Sequence, residues 1–459
     1  MHTIDRDLLE RYDRPGPRYT SYPTAPVWKD SFGPRDYEQR LATAGQRGDE
    51  PLSLYVHIPY CESLCWYCAC SVVITQDTDK AARYVDTVLQ EADLVARHLG
   101  STDRKVVQHH WGGGTPTFLP PDECRRLFVG LCERFPLQAG AEVSIEVDPR
   151  VTTKAHLEAL ADVGFRRISM GVQDFDPKVQ EAIHRVQSFE TTQALIADAR
   201  ALGFDSVNLD LVYGLPYQSE QGFGRTLEQV AALRPDRIAC YSYAHVPWLK
   251  KHQTMMPEAA LPTAAEKQAL FLQALGALVA DGMEPIGMDH FARTTDELCV
   301  ASRTGKLHRN FMGYTTRPAE DMLSFGVTSI GEVDGAFTQN LKEVKTWRAA
   351  IEGGELPTHR GHRRSEDDDR RRRIILDLMC RFRLAFADHG GRDAFATAYG
   401  DALDRLQPMA ADGLLAIDQD GLVVSQAGKL LIRNLAMAFD AYLPGQQASG
   451  GGPQFSRTV

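Results

Sequence analysis

The sequence predicts an α/β protein: a partial (β/α)6 TIM-like barrel with an N-terminal arm and a small, mostly helical, winged-helix-like C-terminal domain. Three observations carry this. Six apolar, strand-like runs alternate with amphipathic helical segments between residues 51 and 360, and repeated βα units imply a parallel sheet with right-handed crossovers. A turn-rich stretch precedes them, and a different regime follows residue 360.

Residues 1–50 hold RPGPRYTSYPTAP and one short helical pattern, and read as an arm or lid rather than a domain. The barrel segment, 51–360, opens at PLSLYVHIPY. Its strand candidates are LSLYVHI (52–58), VVQHHW (106–111), EVSIEV (142–147), RRISMGV (166–172), SVNLDLVYG (206–214) and RIACYSY (237–243). Between them, stretches such as KAARYVDTVLQEADLVARHL and TTKAHLEALADVGF have helical spacing. In such barrels chemistry gathers at the C-terminal ends of the strands. The third segment, 361–445, begins near EDDDRRRR (366–373), which sets each acid four residues ahead of an arginine, as at the start of a solvated helix. GLLAIDQDGLVVS reads as a hairpin turning at Asp420-Gly421, and AGKLLIRNLAMAFDAYL as a last helix. Residues 446–459, with QQASGGGP, read as a flexible tail.

Of the 459 residues, 43% are hydrophobic and 24% charged, an ordinary soluble composition. A net charge of −10 argues against nucleic-acid binding. No run of 18 apolar residues suggests a membrane span, and the polar first residues lack a signal-peptide core, so the expected location is the cytoplasm. There, clustered thiols bind metal or do redox chemistry rather than form disulfides.

The thiols are clustered. CESLCWYCAC places Cys61, Cys65, Cys68 and Cys70 directly after the first strand, while Cys124, Cys132, Cys240, Cys299 and Cys380 are scattered and read as core residues. A C-x3-C-x2-C loop offers three thiolates around one compact object. A [4Fe–4S] cubane held by three cysteines keeps its fourth iron open. The alternative is a small zinc loop with Cys70 as fourth ligand. Trp66 and Tyr67 shield the loop, stack on a ring, or simply pack.

This loop after a first barrel strand resembles the radical S-adenosylmethionine superfamily. Together with GPRYTSYPT (16–24), HWGGGTPT, SIEVDPR, MGVQDF, DLVYGLP, GMDHFA, HRNFMGYTT and QFSRTV, it is similar over nearly the whole chain to the oxygen-independent coproporphyrinogen III oxidases. The resemblance implies oxygen-independent decarboxylation of coproporphyrinogen III to protoporphyrinogen IX. It also implies a [4Fe–4S] cluster with two S-adenosylmethionine molecules, one of them on the open iron. An external donor of flavodoxin or ferredoxin type, an unidentified electron acceptor and a monomeric state complete the expectation. Related haem-binding chaperones share the barrel but lack the fourth cysteine and the arm, both present here.

The resemblance also distributes roles. Gly113, Glu146, Tyr55 and Ile330 fall to the cluster-bound S-adenosylmethionine. Glu146, near a strand end, can accept two ribose hydroxyl hydrogen bonds, or can equally be a solvated carboxylate. Tyr67, Gly114, Thr115, Gln173, Arg185, Asp210 and Ala244 fall to the second molecule. A substrate with four propionates needs cations. Arg18, Arg293, His308, Arg309 and Arg317 are candidates, with Asp289 and His290 orienting neighbours. Two positions depart from the family pattern: Ala69 replaces a glycine, and Met312, beside Phe311, replaces a glutamine whose amide hydrogen bonds a thioether cannot supply.

Overall fold

The computed structural model describes residues 6–100, 103–443 and 455–458. The valine-, isoleucine- and leucine-rich runs form the centre of one open twelve-stranded sheet. In chain order its strands are β1 (Leu52–Ile58), β2 (Val106–Gly113), β3 (Leu137–Val147), β4 (Arg167–Gln173), β5 (Ser206–Tyr213), β6 (Arg237–Ser242), β7 (Met283–Gly287), β8 (His290–Arg293), β9 (Asp321–Phe325), β10 (Ile330–Val333), β11 (Ala336–Asn340) and β12 (Thr358–Arg363). Their spatial order is β12-β11-β10-β9-β1-β2-β3-β4-β5-β6-β8-β7. β9 and β1 to β6 are parallel; the outer strands are antiparallel. The expected partial (β/α)6 barrel is therefore present and is widened on both sides.

The helices cover the sheet because their apolar residues recur every three or four positions. In Asp79–Leu99, Val85, Val88, Ala92 and Val95 are all buried. Leu54, Val56 and Ile58 of β1 are fully buried, as expected of a parallel strand covered on both faces. Beneath the sheet, Arg104 and Asp321 form an ion pair at 2.7 Å with neither side chain exposed. Arg104 also donates to the carbonyls of Ala44 and Glu50, so it ties the arm to the sheet.

Four details correct the sequence reading. The arm holds two helices, Arg6–Tyr12 and Pro34–Ala44, instead of one. The acid–arginine ladder is only half formed: Arg370 reaches Glu366 and Arg371 reaches Asp367. Asp368 instead caps its own helix at Ser365, and Arg372 turns away to Glu332 of β10 at 2.9 Å. The hairpin forms, but its turn is Asp418–Asp420 and Gly421 already belongs to the second strand, with Arg383–Ala385 adding a third. The last helix is broken into Gln426–Leu430, Ile432–Ala436 and a short 3-10 turn.

Most of the expected tail lies outside the described residues, but 455–458 are held rather than free. Gly16 N–H donates to the Ser456 carbonyl at 3.0 Å and Thr458 N–H to the Arg14 carbonyl at 2.9 Å. Arg433 supports this junction, donating to Pro17 and Arg457 carbonyls at 3.0 Å each. No helix of the described residues is long and apolar enough to cross a membrane.

Candidate active site at the cysteine loop

β1 delivers the chain to the C-terminal face of the sheet. There Tyr60–Cys61 pairs in parallel with Val73–Ile74, which closes the cysteine stretch into a loop. The loop has few apolar anchors of its own, so neighbouring segments hold its backbone. Trp66 N–H donates to the Ile183 carbonyl at 2.9 Å, and a His184 ring nitrogen lies 2.8 Å from the Leu64 carbonyl. Trp66 stacks on His184, with ring centroids 5.1 Å apart, so its role here is packing against that imidazole. His252 and Gln253 bind the Cys68 and Tyr67 carbonyls at 2.7 and 3.2 Å.

Cys61, Cys65, Cys68 and Cys70 line one cavity of about 240 Å³. Two guanidinium groups point at Cys65: Arg150 at 3.4 Å and Arg185 at 3.6 Å from the sulfur. Asp148 holds both arginines, at 2.6 and 2.9 Å. Burial pushes the Asp148 carboxyl up, but Arg185 and Arg150 outweigh it and bring it down to about 2. A hydrogen bond from Cys70 brings the Cys68 thiol down to about 7. Cys70 is thus a donor to Cys68, and its own thiol is held well above the usual range.

These donors can be tested against the expected groups. Among the described residues, no three His, Cys, Asp or Glu side chains converge on one metal-ion position. Thiols spread round a cavity, with N–H donors on one sulfur, fit a polynuclear iron–sulfur cluster.

Next to the thiols, β2 ends in two glycines, and a third follows it. Gly113 has φ +117°, and a Cβ there would lie 2.7 Å from the His57 ring; a Cβ on Gly114 would lie 2.6 Å from the Pro59 carbonyl oxygen. Glycine is thus required for the end of β2 to lie against β1. Gly113 N–H donates to Glu146 at 3.2 Å, and His110 reaches the same carboxylate at 3.5 Å. Burial opposes ionisation of Glu146, but the His110 contact prevails and lowers its pKa. Thr115 hydroxyl lies 3.5 Å from the Cys61 sulfur. Across the cavity, Asp210 accepts from Asn208 and Ser169 at 2.8 and 3.2 Å, and burial, with Glu146 nearby, pushes its carboxyl up to about 7. Gln173 sits at φ +66°, a strained value for a side-chain-bearing residue.

The structure thus gathers Gly113, Gly114, Thr115, Glu146, Tyr67, Gln173, Arg185 and Asp210 on the same cavity as the thiols, and exposed Ala69 lies on its rim. It places others elsewhere. Tyr55 stands behind the lining, stacked on His110. Ala244 borders the site only through its carbonyl, which shares Gln253 with Tyr67. Ile330 and Phe311 belong to a separate apolar cluster with Trp28 and Phe337. Met312 and His290 line an adjoining cavity of about 160 Å³ that shares Glu146 and Asp210. Arg18 pairs with Asp289, which also holds His290 at 2.8 Å. Arg309 stacks over Tyr314 and, with His308, lines a cleft of about 860 Å³. That cleft touches Pro51 and Glu320, which precede β1 and β9, so it opens at the opposite end of the sheet from the thiols. Arg293 is engaged by Asp281 at 2.6 Å and Arg317 is exposed; neither lines a cavity described here. The sequence reading missed Arg150, Asp148, His252 and Gln253. Asp148 and Arg150 stand in the DPR that follows β3, at the chemical end of a barrel strand, and that position was the available signal.

Comparison with known proteins agrees with this geometry. Residues 55–230 match the radical SAM superfamily. The chain is 41% identical over 467 residues to an oxygen-independent coproporphyrinogen III oxidase of Helicobacter pylori, covering all of both chains. It is 42% identical over 463 residues to the Escherichia coli K12 protein of that name, again covering all of both. The solved structure of coproporphyrinogen III oxidase from Escherichia coli, described as a radical SAM enzyme, superposes with a TM-score of 0.90 at 41% identity, covering 96% of this chain and 99% of that one. Relatives this similar from end to end leave one assignment: the chain belongs to the oxygen-independent coproporphyrinogen III oxidase family of the radical SAM superfamily.

Proposed function

We propose that the chain converts coproporphyrinogen III to protoporphyrinogen IX without oxygen, turning two propionates into vinyl groups. Each conversion releases CO2, one hydrogen atom and one electron. When bound, an iron–sulfur cluster and S-adenosylmethionine would supply the one-electron cleavage and hydrogen-abstraction chemistry. The protein's own part is positioning and exclusion of water. Cys61, Cys65 and Cys68 would hold the cluster, with Arg150 and Arg185 steadying the Cys65 thiolate. Glu146, fixed by His110 and Gly113, would orient a ribose, with Tyr55 backing His110 from behind the lining. Tyr67, Gln173, Arg185, Asp210 and Ala244 would surround the second S-adenosylmethionine. Arg18, set by the Asp289 that also holds His290 of the adjoining cavity, is the cation best placed for propionates.

The single observation behind this reading is the thiol-lined cavity opening onto the space lined by Glu146 and Asp210. We place the reaction in the cytoplasm, with a monomeric enzyme taking electrons from a flavodoxin or ferredoxin type of donor. The test is anaerobic turnover of coproporphyrinogen III by reconstituted protein. Vinyl product with methionine and 5′-deoxyadenosine is expected, and Cys61→Ser or Cys65→Ser should abolish it. Tight haem binding without turnover would assign the chain to the carrier branch instead.

A further inference from the structure

Nine large apolar side chains stand exposed among the described residues, and six of them are on one face: Ile74, Val186, Tyr217, Trp248, Leu249 and Met255. All follow the C-terminal ends of parallel strands, around the cysteine loop. Ile74 pairs with Cys61, and Val186 lies two residues beyond the His184 that stacks on Trp66. Trp248, Leu249 and Met255 belong to the segment after β6, which grips the loop from outside. Lys250 donates to the Cys70 carbonyl at 3.1 Å, and His252 contacts that of Cys68 at 2.7 Å.

The charge of this segment is also unusual. The chain has 61 Asp and Glu against 51 Lys and Arg, yet Tyr243 to Pro257 contains no acid and carries Lys250, Lys251, His245 and His252. Glu62, Glu181 and Glu258 stand exposed beside it. An exposed apolar patch with Trp and Met at its centre and a charged rim has the make-up of a protein interface. Its cations select an acidic partner and steer its approach.

We infer that the 245–255 segment, with Ile74 and Val186, is the docking surface of an acidic one-electron carrier protein. This rests on the functional reading above. The carrier loses one electron, and the group held by Cys61, Cys65 and Cys68 gains it; no bond or proton moves between the partners. The hydrogen bonds from Lys250 and His252 make the docked surface and the thiol loop one continuous structure, so the carrier stops at the shortest approach to the thiols.

The experiment uses the reconstituted full chain and a flavodoxin as probe. Binding is measured by calorimetry at low and moderate salt, for the parent, for the Trp248→Ser/Leu249→Ser double variant and for Lys251→Glu. Both variants should weaken binding at least tenfold, and Lys251→Glu should also flatten the salt dependence. Cleavage of S-adenosylmethionine driven by reduced flavodoxin should fall about tenfold, while cleavage driven by dithionite, which needs no docking, stays at the parent level. Unchanged flavodoxin binding in both variants overturns the proposal. So does an equal loss with dithionite, which would make the segment part of the site's own architecture. Parental self-association that the variants lose, with flavodoxin binding intact, would give the patch to a second copy. Failure of the parent with dithionite would instead count against the functional reading, leaving the binding measurement to judge the surface.

Discussion

His109 shows how one buried side chain makes the fold sensitive to pH. It lies on β2, fully buried, stacked on Phe128 at 5.1 Å, and its Nε2 accepts from the Trp111 indole at 2.9 Å. That ring must be neutral, and burial lowers its pKa to about 3. An unfolded histidine titrates near 6.5. Between those values the unfolded chain takes up a proton that the folded chain refuses, so stability is complete above about pH 6.5 and is lost as pH falls. The loss is about 1.4 kcal/mol per pH unit, or roughly 2 kcal/mol at pH 5. His109→Asn keeps an acceptor for Trp111 and cannot titrate, so its urea midpoint should fall less steeply between pH 7 and 5; an unchanged slope would refute the assignment. At this scale the sequence was partly legible. The spacing of Cys61, Cys65 and Cys68 already puts them on one loop, and the structure has them line one cavity. Arg150 acts on a sulfur 85 residues away, and only the folded sheet brings the two together.

At the scale of elements, the end of β2 is tightly constrained. Gly113→Ala would place a methyl against His57 and hold a non-glycine residue at φ +117°. A cost of about 1–3 kcal/mol is expected, seen as a lower Tm, together with loss of anaerobic turnover. An alanine variant with parental Tm and turnover would show that the backbone can yield there. The six central strands were legible because apolar residues recur along them at strand spacing, as Val143, Ile145 and Val147 do in β3. The outer strands were not. THRGHR, which becomes β12, contains no apolar side chain and gives no periodic signal. It is a strand because β11 offers it an edge and because Lys29 of the arm exchanges two backbone hydrogen bonds with Gly361. The last helix failed for a related reason: Arg433 and Asn434 are buried polar residues turned toward the arm, where Arg14 donates to Asn434 at 2.9 Å.

Across the whole molecule, the arm and residues 455–458 are bound to each other over Arg433, a buried guanidinium whose hydrogen bonds all go to backbone carbonyls and to Ser456. Burial lowers its pKa to about 10, so it stays charged at neutral pH. Arg433→Met keeps the bulk and removes the donors. It should cost about 2–4 kcal/mol and speed amide exchange at Gly16 and Thr458 while leaving β6 protected; equal exchange at all three would contradict the role given to Arg433. Arg18, which grips Asp289 beside the inner cavity, lies only two residues past the Gly16 carbonyl that Arg433 holds. Arg14 and Thr458 are 444 positions apart in the chain. During translation the Arg14 segment therefore waits for 444 more residues before it meets Thr458, so the strands of the barrel emerge before this clasp can close.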